Sequence, residues 1–251
     1  MKRLPLLYTL LFCVLSQVPY AQNDSLSLSH VSQPQSHTGF FSAPASRFIL
    51  PAAWIAYGAL SQVSPTLDRF DHYIYTTSSH RRTKVDDYIQ YAPAVAVYGL
   101  DFAGIKAKHN FRDRTFVMVS SYIFTAITVH AAKYATQVER PDKSAYNSFP
   151  SGHTATAFTG AHILFREYGE ASPWIAVAGY ATATATGFLR IVNRKHWLSD
   201  VVAGAGVGIL SVEAGYLLLP VFRRMMGGEQ EVTLVPLVGK EMYGLGLSCR
   251  F

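Results

Sequence analysis

Cysteine is scarce in this chain. Its 251 residues include only two cysteines, Cys13 and Cys249. Cys13 lies in a segment with the composition of a secretory signal, which has a basic start, an apolar run at residues 4–18 and a plausible cleavage site after Ala21. We predict that residues 1–21 are this signal. Only Cys249 would then remain in the mature chain, which excludes a disulfide within it.

Charged residues are also few. They make up 15% of the chain, with a formal net charge of +6, and no recognition motif or basic-aromatic stripe accompanies the positive excess. We therefore expect no nucleic-acid partner. A basic protein also suits anionic lipid or a phosphorylated substrate. Because the mean hydropathy is only +0.14, two possibilities stay open: a membrane-spanning protein, or a periplasmic or peripheral protein whose apolar helices pack on each other.

Long segments with almost no charge stand out in the sequence. Residues 115–132, 171–189 and 201–222 contain at most one charged residue each. Segments of this length can cross a bilayer as helices. Residues 88–105 are interrupted by a single aspartate, and residues 152–165 form a shorter apolar run. We see no internal repeat and no second domain.

Three short polar stretches interrupt these segments, and the first contains Lys133 and Arg140. On one continuous helix these side chains would share a face about 10 Å apart along the axis, close enough to bind one anion together. Pro141 cannot continue a helix, so it places Arg140 at the helix end or in the loop just beyond. The first stretch therefore predicts a pair of cations for an anionic ligand.

The second stretch is Pro150-Ser151-Gly152-His153, which precedes an apolar run. Ser151 can cap a helix, and Gly152 lets the backbone approach a ligand closely. The free amides of a helix start favour an anion. This stretch therefore predicts a second group of donors for the same kind of ligand.

The third stretch contains Arg190, His196 and Asp200. His196 and Asp200 are spaced i,i+4, so the carboxylate can hold one ring nitrogen and leave the other basic and directed at a substrate. With His153 and the cations of the other stretches, these residues suffice for phosphoryl transfer through a phosphohistidine. That chemistry requires no metal and no other cofactor.

Each stretch alone has an ordinary explanation. Lys133 can extend from an apolar helix towards the membrane interface, Ser151 can be a plain helix cap, and His196 with Asp200 can be a surface pair. Their combination, at these spacings in a chain with so few charges, favours a common site.

The patterns Lys-x6-Arg-Pro, Pro-Ser-Gly-His and Arg-x5-His-x3-Asp resemble the three-part motif of the type 2 phosphatidic acid phosphatase superfamily. This superfamily includes membrane lipid phosphatases, soluble bacterial acid phosphatases and vanadium haloperoxidases. The resemblance runs from Lys133 to Asp200. It departs at Leu189, where many members carry a serine, and this removes one possible hydrogen bond to phosphate.

The resemblance implies a role for each motif residue. His196 would attack phosphorus, His153 would protonate the leaving oxygen, and Asp200 would orient His196. The phosphoryl oxygens would be bound by the remaining motif residues, which are Lys133, Arg140, Ser151, Gly152 and Arg190.

The resemblance also implies an all-α core with the motifs at one end of a helical bundle, and the apolar segments agree. The alternation from Ala181 to Thr186 has the period of a strand, but we predict a helix because its long charge-free run leads into the third motif. Gly204 and Gly208 are spaced for close helix packing. We divide the chain into a signal at 1–21, a flexible lead-in at 22–47, a catalytic domain at 48–224, and a tail at 225–251 that forms a short β-hairpin or stays loose.

Membrane topology depends on residues 48–63. If they span the bilayer after a cleaved signal, the catalytic loop is cytoplasmic. If this short segment, interrupted by Pro51 and Gly58, lies in the interface or packs on the bundle, the site faces the periplasm. We favour an inner-membrane protein with a periplasmic site, because the positive-inside rule then accounts for the basic residues at the other end of the bundle. These are Lys106, Lys108, Arg112, Arg114, Arg223 and Arg224; against it, Arg69, Arg81, Arg82 and Lys84 would lie outside.

The implied substrate is a phosphorylated membrane lipid, such as lipid A, undecaprenyl diphosphate or phosphatidate. The Asp86-Asp87-Tyr88 and Arg140-Pro141-Asp142 runs resemble a branch in which some members are lipid A 4′-phosphatases. Three alternatives stay open: a broad-specificity periplasmic acid phosphatase, a vanadium haloperoxidase, and a binding protein without turnover. The sequence decides neither the leaving group nor the oligomeric state.

Overall fold

The structure is a computed structural model that describes residues 46–78, 82–226, 231–239 and 242–250. The predicted signal at residues 1–21 lies outside the described residues, and so does the predicted lead-in at 22–47 except for its last two positions, with which the first helix begins. The described elements are α1 Ser46–Ser61, α2 Pro65–Thr77, α3 Val85–Ile89, α4 Ala92–Phe102, α5 Phe111–Thr136, α6 Gly152–Tyr168, α7 Pro173–Val192, α8 Leu198–Met225, β1 Glu231–Gly239 and β2 Met242–Arg250.

Helices α5 to α8 form an antiparallel bundle, which confirms the all-α prediction. Helix α8 packs against α1, α5 and α6, and α6 also packs against α7. Successive helices of this bundle alternate in direction. For example, Gly187 near the end of α7 approaches Thr154 near the start of α6, whereas Gly179 near the start of α7 approaches Leu164 near the end of α6. The end of α5, the start of α6, the end of α7 and the start of α8 therefore lie at one end of the bundle, which we call the site end.

Glycines set the close contact between α6 and α8. A Cβ on Gly204 would lie 2.6 Å from the Ser151 carbonyl oxygen, and one on Gly208 would lie 2.5 Å from the Ala155 oxygen. Any side chain at these positions would force the helices apart. The predicted role of the two glycines is thus confirmed, and their contact fixes the start of α6 against α8.

Among the described residues, α5, α7 and α8 are long and apolar enough to cross a membrane. Helix α5 also carries an apolar stripe that no other described helix covers: Val119, Ile123 and Ile127 are 52%, 51% and 61% exposed. The three residues recur every fourth position and so share one face. An uncovered apolar face of this kind is favourable in lipid and unfavourable in water. These features are those of a membrane protein.

The first part of the chain differs from the sequence-based prediction in one respect. Residues 88–105 do not form one apolar helix, because α3 ends at Ile89 and α4 begins at Ala92 with Pro93 in its first turn. Proline has no amide hydrogen, so Pro93 cannot donate to the Ile89 carbonyl oxygen as a continuous helix would require, and it lies in the first turn of a new helix instead. This break leaves the short helix α3 at the site end.

Helix α1 packs on the bundle along α8. A Cβ on Gly206 would lie 2.5 Å from the Pro51 oxygen, and one on Gly58 would lie 2.6 Å from Ala203 Cβ. Helix α1 thus packs on the bundle beside a helix that is itself long and apolar enough to cross a membrane. That residues 48–63 do not span the bilayer stays a prediction. The end of α1 lies at the site end, since Gly58 also approaches the Ser199 oxygen.

The C-terminal tail contains the predicted hairpin. Strands β1 and β2 pair antiparallel, with a register that runs from Glu231 opposite Arg250 to Gly239 opposite Met242.

Candidate active site

The site end brings the three predicted stretches together. The Ser151 amide donates to the Asp200 carbonyl oxygen at 2.9 Å, which joins the second stretch to the third. Lys133 Nζ, near the end of α5, donates to the carbonyl oxygens of Asn147 and Ser148, just before the second stretch. All three stretches thus meet around the starts of α6 and α8.

His196 is buried beside Asp200 in the loop between α7 and α8. Its Nδ1 lies 3.4 Å from Asp200 Oδ2 and 3.5 Å from Ser148 Oγ. Asp200 is held in turn by the Trp197 amide at 2.9 Å and by the Ser148 hydroxyl, both of which donate to Oδ2. The carboxylate faces Nδ1, so Nε2 is the nitrogen left for a substrate.

The surroundings of His196 keep its imidazole neutral. The side chain is 2% exposed. Burial lowers the pKa of His196 well below its usual value, and the positive charges of Arg190, Lys133 and Arg140 lower it further. A neutral imidazole has the free electron pair that a nucleophile needs. The positive charges of those three cations therefore act directly on His196.

Two of these cations carry donors that the described residues leave unused. The Nε atoms of Arg140 and Arg190 are buried and have no hydrogen-bond partner among the described residues. Burial and the charge of Arg190 lower the pKa of Arg140. Buried donors without partners are unfavourable, and crowded cations repel one another. Binding of an anion would relieve both conditions at once.

Arg140 was predicted to lie either at the end of a helix or in the loop just beyond it, and the structure places it in the loop. Helix α5 ends at Thr136, and Gln137 caps it with a left-handed backbone at φ 46°. Arg140 therefore lies in the loop beyond the helix, where its amide donates to the Ala145 oxygen at 3.0 Å. The loop lets its side chain turn back towards Arg190.

The start of α6 has the predicted geometry. Ser151 is its N-cap, and the Ser151 hydroxyl accepts from the Thr154 amide. Gly152 is the first helical residue, and a Cβ there would meet only Val129 Cγ1 at 3.6 Å. The amides of this first turn are available to an anion beside the cations.

His153 has an acidic partner that the sequence analysis did not assign to the site. Its Nε2 lies 2.9 Å from Asp87 Oδ1, on α3. Burial lowers the pKa of His153, and Arg190 lowers it further, whereas the hydrogen bond with Asp87 acts in the opposite direction. Asp87 therefore favours the protonated form of His153, which is the form that can donate a proton.

Asp86 is the second residue that the sequence analysis missed. Its buried carboxylate accepts from Arg190 Nη1 at 2.6 Å and from Asn193 Nδ2 at 2.8 Å. A buried arginine needs such a partner, because an unpaired buried charge is strongly destabilising. Asp86 therefore holds Arg190 in place, and Asp87 lies 3.8 Å from the same Nη1.

Asp86, Asp87 and His153 also have the composition of a metal site, since their ligand atoms lie within 4.8 Å of one another. All three groups are already paired within the protein. Arg190 neutralises Asp86, and His153 shares a hydrogen bond with Asp87. We therefore assign the acidic pair to the positioning of Arg190 and His153.

Helix α2 covers the start of α8 from outside the bundle. Asp71 accepts from the amide and the hydroxyl of Ser199, the residue before Asp200. The rings of His72 and Tyr75 lie 4.6 and 5.4 Å from the Trp197 ring. These contacts fix the loop that carries His196.

Residues 114–224 match the model of the PAP2 superfamily. Over these residues the chain is similar to the PAP2 superfamily. This is the type 2 phosphatidic acid phosphatase superfamily that the three motifs resemble, and all eight predicted site residues lie in the matched region.

One curated relative is a lipid A 1-phosphatase from Porphyromonas gingivalis, which is 41% identical over 163 residues. The match covers 63% of this chain and 36% of the relative, so the chain spans about a third of that protein's length. Two solved structures are similar to the chain. The crystal structure of Aquifex aeolicus LpxE has 23% identity and a TM-score of 0.45, and covers 59% of this chain and 93% of its own. That of a Bacillus subtilis transmembrane PAP2 type phosphatidylglycerolphosphate phosphatase has 17% identity and a TM-score of 0.48, and covers 70% and 97%.

Proposed function

We propose that this protein is a metal-independent phosphatase that hydrolyses a phosphomonoester or pyrophosphate of a membrane lipid through a phosphohistidine at His196. One observation carries the proposal. A buried, neutral histidine lies beside a carboxylate and within electrostatic range of two guanidinium groups whose buried Nε atoms lack partners. This arrangement suits attack on a phosphoryl group and stabilisation of the charge that builds on its oxygens.

In the first step, Lys133, Arg140 and Arg190 bind the phosphoryl oxygens, and the hydroxyl of Ser151 and the amide of Gly152 add hydrogen bonds. The electron pair of His196 Nε2 attacks phosphorus as the bond to the leaving oxygen breaks. His153 gives its proton to that oxygen, while Asp200 stabilises the charge that forms on His196. The substrate's negative charge offsets the effect of Arg190 on His153 and so favours the protonated form.

In the second step, water attacks the phosphohistidine while His153 takes a proton from it. The bond between phosphorus and His196 breaks, and inorganic phosphate leaves. The three cations supply the positive charge that a metal ion provides in many other phosphatases. We therefore expect activity to be unchanged by a chelator.

A lipid substrate is supported by the membrane helices, whose ends carry the site. The named activity of the Porphyromonas relative, on lipid A, supports the same class. Release of phosphate by detergent-purified protein can be measured with lipid A, undecaprenyl diphosphate, phosphatidylglycerophosphate and a soluble aryl phosphate. We expect turnover of at least one lipid to exceed that of the aryl phosphate, and equal or greater turnover of the aryl phosphate would favour a broad-specificity acid phosphatase.

Replacement of His196 tests the residue assignment in the same assay. We expect His196→Ala to remove turnover and to leave thermal unfolding close to that of the unchanged protein, whereas the exposed His130→Ala should retain turnover. Undiminished phosphate release by His196→Ala would refute the assignment of His196 as the nucleophile.

We further propose that the site end faces the periplasm, in the bacterial inner membrane. Lys106, Lys108, Arg112, Arg223 and Arg224 lie at the opposite end of the bundle, where the positive-inside rule places the cytoplasm. Single cysteines at Ser144 and Lys106, in a chain with Cys13 and Cys249 replaced by serine, report the two sides. Labelling of Ser144→Cys by an impermeant reagent in intact spheroplasts, without labelling of Lys106→Cys, is expected; the reverse would place the site in the cytoplasm.

A further inference from the structure

A cationic cavity lies next to the phosphoryl-binding residues. It has a volume of about 420 Å³ and lies between α2 and the loops that follow Arg140 and Arg190. We infer that this cavity binds a second anionic group of the substrate, so that the preferred substrate is a lipid with two phosphoryl groups on one headgroup. The inference rests on the proposed function, because it concerns the part of the substrate that does not react.

The charge of the cavity is strongly positive. Arg82, Lys143 and Arg194 line it, and Asp142 is its only acidic residue in the described part of the chain. Asp142 accepts from Lys195 Nζ at 2.6 Å and from the Ser144 amide at 3.0 Å. Burial by itself would raise the pKa of Asp142, but these hydrogen bonds outweigh it and lower the pKa to about 2. Asp142 is therefore ionised and already neutralised by Lys195, so it does not offset the three lining cations.

Two of the lining cations are available to a ligand. The side chains of Arg82 and Lys143 form no hydrogen bond or ion pair with other described residues, and both are exposed. The guanidinium of Arg194 lies over the Tyr75 ring, 5.4 Å from its centre. Stacking of this kind fixes the plane of a guanidinium and leaves its edge free to donate to phosphate oxygens.

The backbone holds two of these cations in uncommon conformations. Lys143 and Arg194 have φ values of 59° and 58°, in the left-handed region that residues other than glycine rarely adopt. The Asp142 amide donates to the Arg194 oxygen at 3.1 Å and so ties the two loops together. Such backbone persists where its surroundings fix it, and it is concentrated at functional sites.

The cavity and the catalytic residues share a wall. Asn193 lines the cavity and donates to Asp86, whose other oxygen accepts from the catalytic-site Arg190. Pro141, also a lining residue, directly follows Arg140. One headgroup can therefore place its reacting phosphoryl group at Arg140 and Arg190 and a second anionic group in the cavity.

The test compares a lipid that carries two phosphate monoesters with the same lipid that carries one. We expect the unchanged protein to prefer the former in kcat/KM, and Arg82→Gln/Lys143→Gln to reduce this preference by roughly tenfold, mainly through KM. The control is Lys106→Gln, which removes an exposed cation at the opposite end of the bundle and should keep the preference. Thermal unfolding of each variant confirms that the fold is intact.

Each outcome separates the inference from the proposed function. The cavity assignment would be overturned if both lipids were hydrolysed without a preference, or if the double variant kept the preference. Either result would leave the phosphatase proposal in place. Failure to release phosphate from either lipid would overturn the proposed function and the inference with it. If inorganic phosphate raises turnover of the one-phosphate lipid to that of the other lipid, the cavity binds free anion, which would also overturn the assignment to substrate.

Discussion

The pairing of Asp87 with His153 leads to a pH-dependent prediction. Asp87 Oδ1 lies 2.9 Å from His153 Nε2, and the side chains are 50% and 29% exposed. Two unit charges about 4 Å apart interact by roughly 1 kcal/mol in water and roughly 4 kcal/mol at a protein surface. Because Asp87 is half exposed, solvent screening places the effect near the lower figure, about 1 kcal/mol. That corresponds to roughly 0.7 of a pKa unit.

The direction follows from the charge. The Asp87 carboxylate favours protonated His153, so Asp87→Asn should lower the pKa of His153 further by this amount. If His153 must be protonated to release the leaving group, kcat/KM falls as pH rises through its pKa. We expect Asp87→Asn to move this falling limb to lower pH by roughly 0.7 unit. At pH values above the pKa of His153, kcat/KM should then be about fivefold lower than in the unchanged protein.

The assay is the pH dependence of kcat/KM with a soluble phosphate monoester whose leaving oxygen needs a proton. Ionisation of the substrate itself is the same for each variant, so it cancels in the comparison. Asp87→Glu keeps the charge and should restore the limb, and Glu170→Gln, which removes an exposed acid paired with Lys108 at the other end, should not move it. An unmoved limb with a uniform loss of rate would mean that Asp87 acts only on the structure, and the reasoning would be refuted.

Three further predictions concern positioning and stability. Asp86→Asn should lower the free energy of unfolding by up to about 3–5 kcal/mol and raise KM, because buried Arg190 keeps only the more distant and half-exposed Asp87 as a charged partner; equal unfolding curves would contradict this. Burial raises the pKa of Asp71 to about 6 despite hydrogen bonds from Ser199. The folded protein therefore favours protonated Asp71. Its free energy of unfolding should decrease as pH rises from about 4 to about 6, by at most about 3 kcal/mol. Asp71→Asn should flatten that fall in thermal unfolding, and an equally steep fall in the variant would count against it. Gly204→Ala should destabilise by about 1–3 kcal/mol and lower activity, since its Cβ would overlap the Ser151 oxygen; Gly99→Ala, which meets nothing within 4 Å, is the control that should not destabilise.

The sequence was sufficient to predict the helical bundle and the gathering of its three polar stretches. Length and lack of charge identified α5, α7 and α8, because a bilayer requires both properties. Gly204 and Gly208 indicated close packing because their spacing on a helix places them on one face. The break between α3 and α4 was missed, although Pro93 was a visible signal for it.

Asp86 and Asp87 could not be assigned from the sequence. Their partners, Arg190 and His153, lie 104 and 66 positions away, and no local pattern connects residues at such separations. The sequence analysis noted the Asp86-Asp87-Tyr88 run only as a resemblance to one branch of the superfamily, which gives neither acid a partner. Ser148 was missed for a similar reason, since its contact with Asp200 arises from the loop that brings the start of α6 against α8.

The cationic cavity could not be predicted from the sequence either. Arg82, Lys143 and Arg194 come from three separate loops, and two of them are brought together by contacts of Asp142 with Arg194 and Lys195. In the sequence, Arg82 belongs to a basic run that is equally typical of a solvent-exposed segment.

The most direct test of the central claim is isolation of the phosphorylated intermediate. With an aryl phosphate whose leaving group needs no proton, His153→Ala should still form the phosphohistidine but hydrolyse it slowly. Rapid acid-free quenching and peptide mass spectrometry should then find a phosphoryl group on His196, close to one per protein, and none in a His196→Ala/His153→Ala chain. A phosphoryl group on any other residue, or turnover without a labelled His196, would contradict the account.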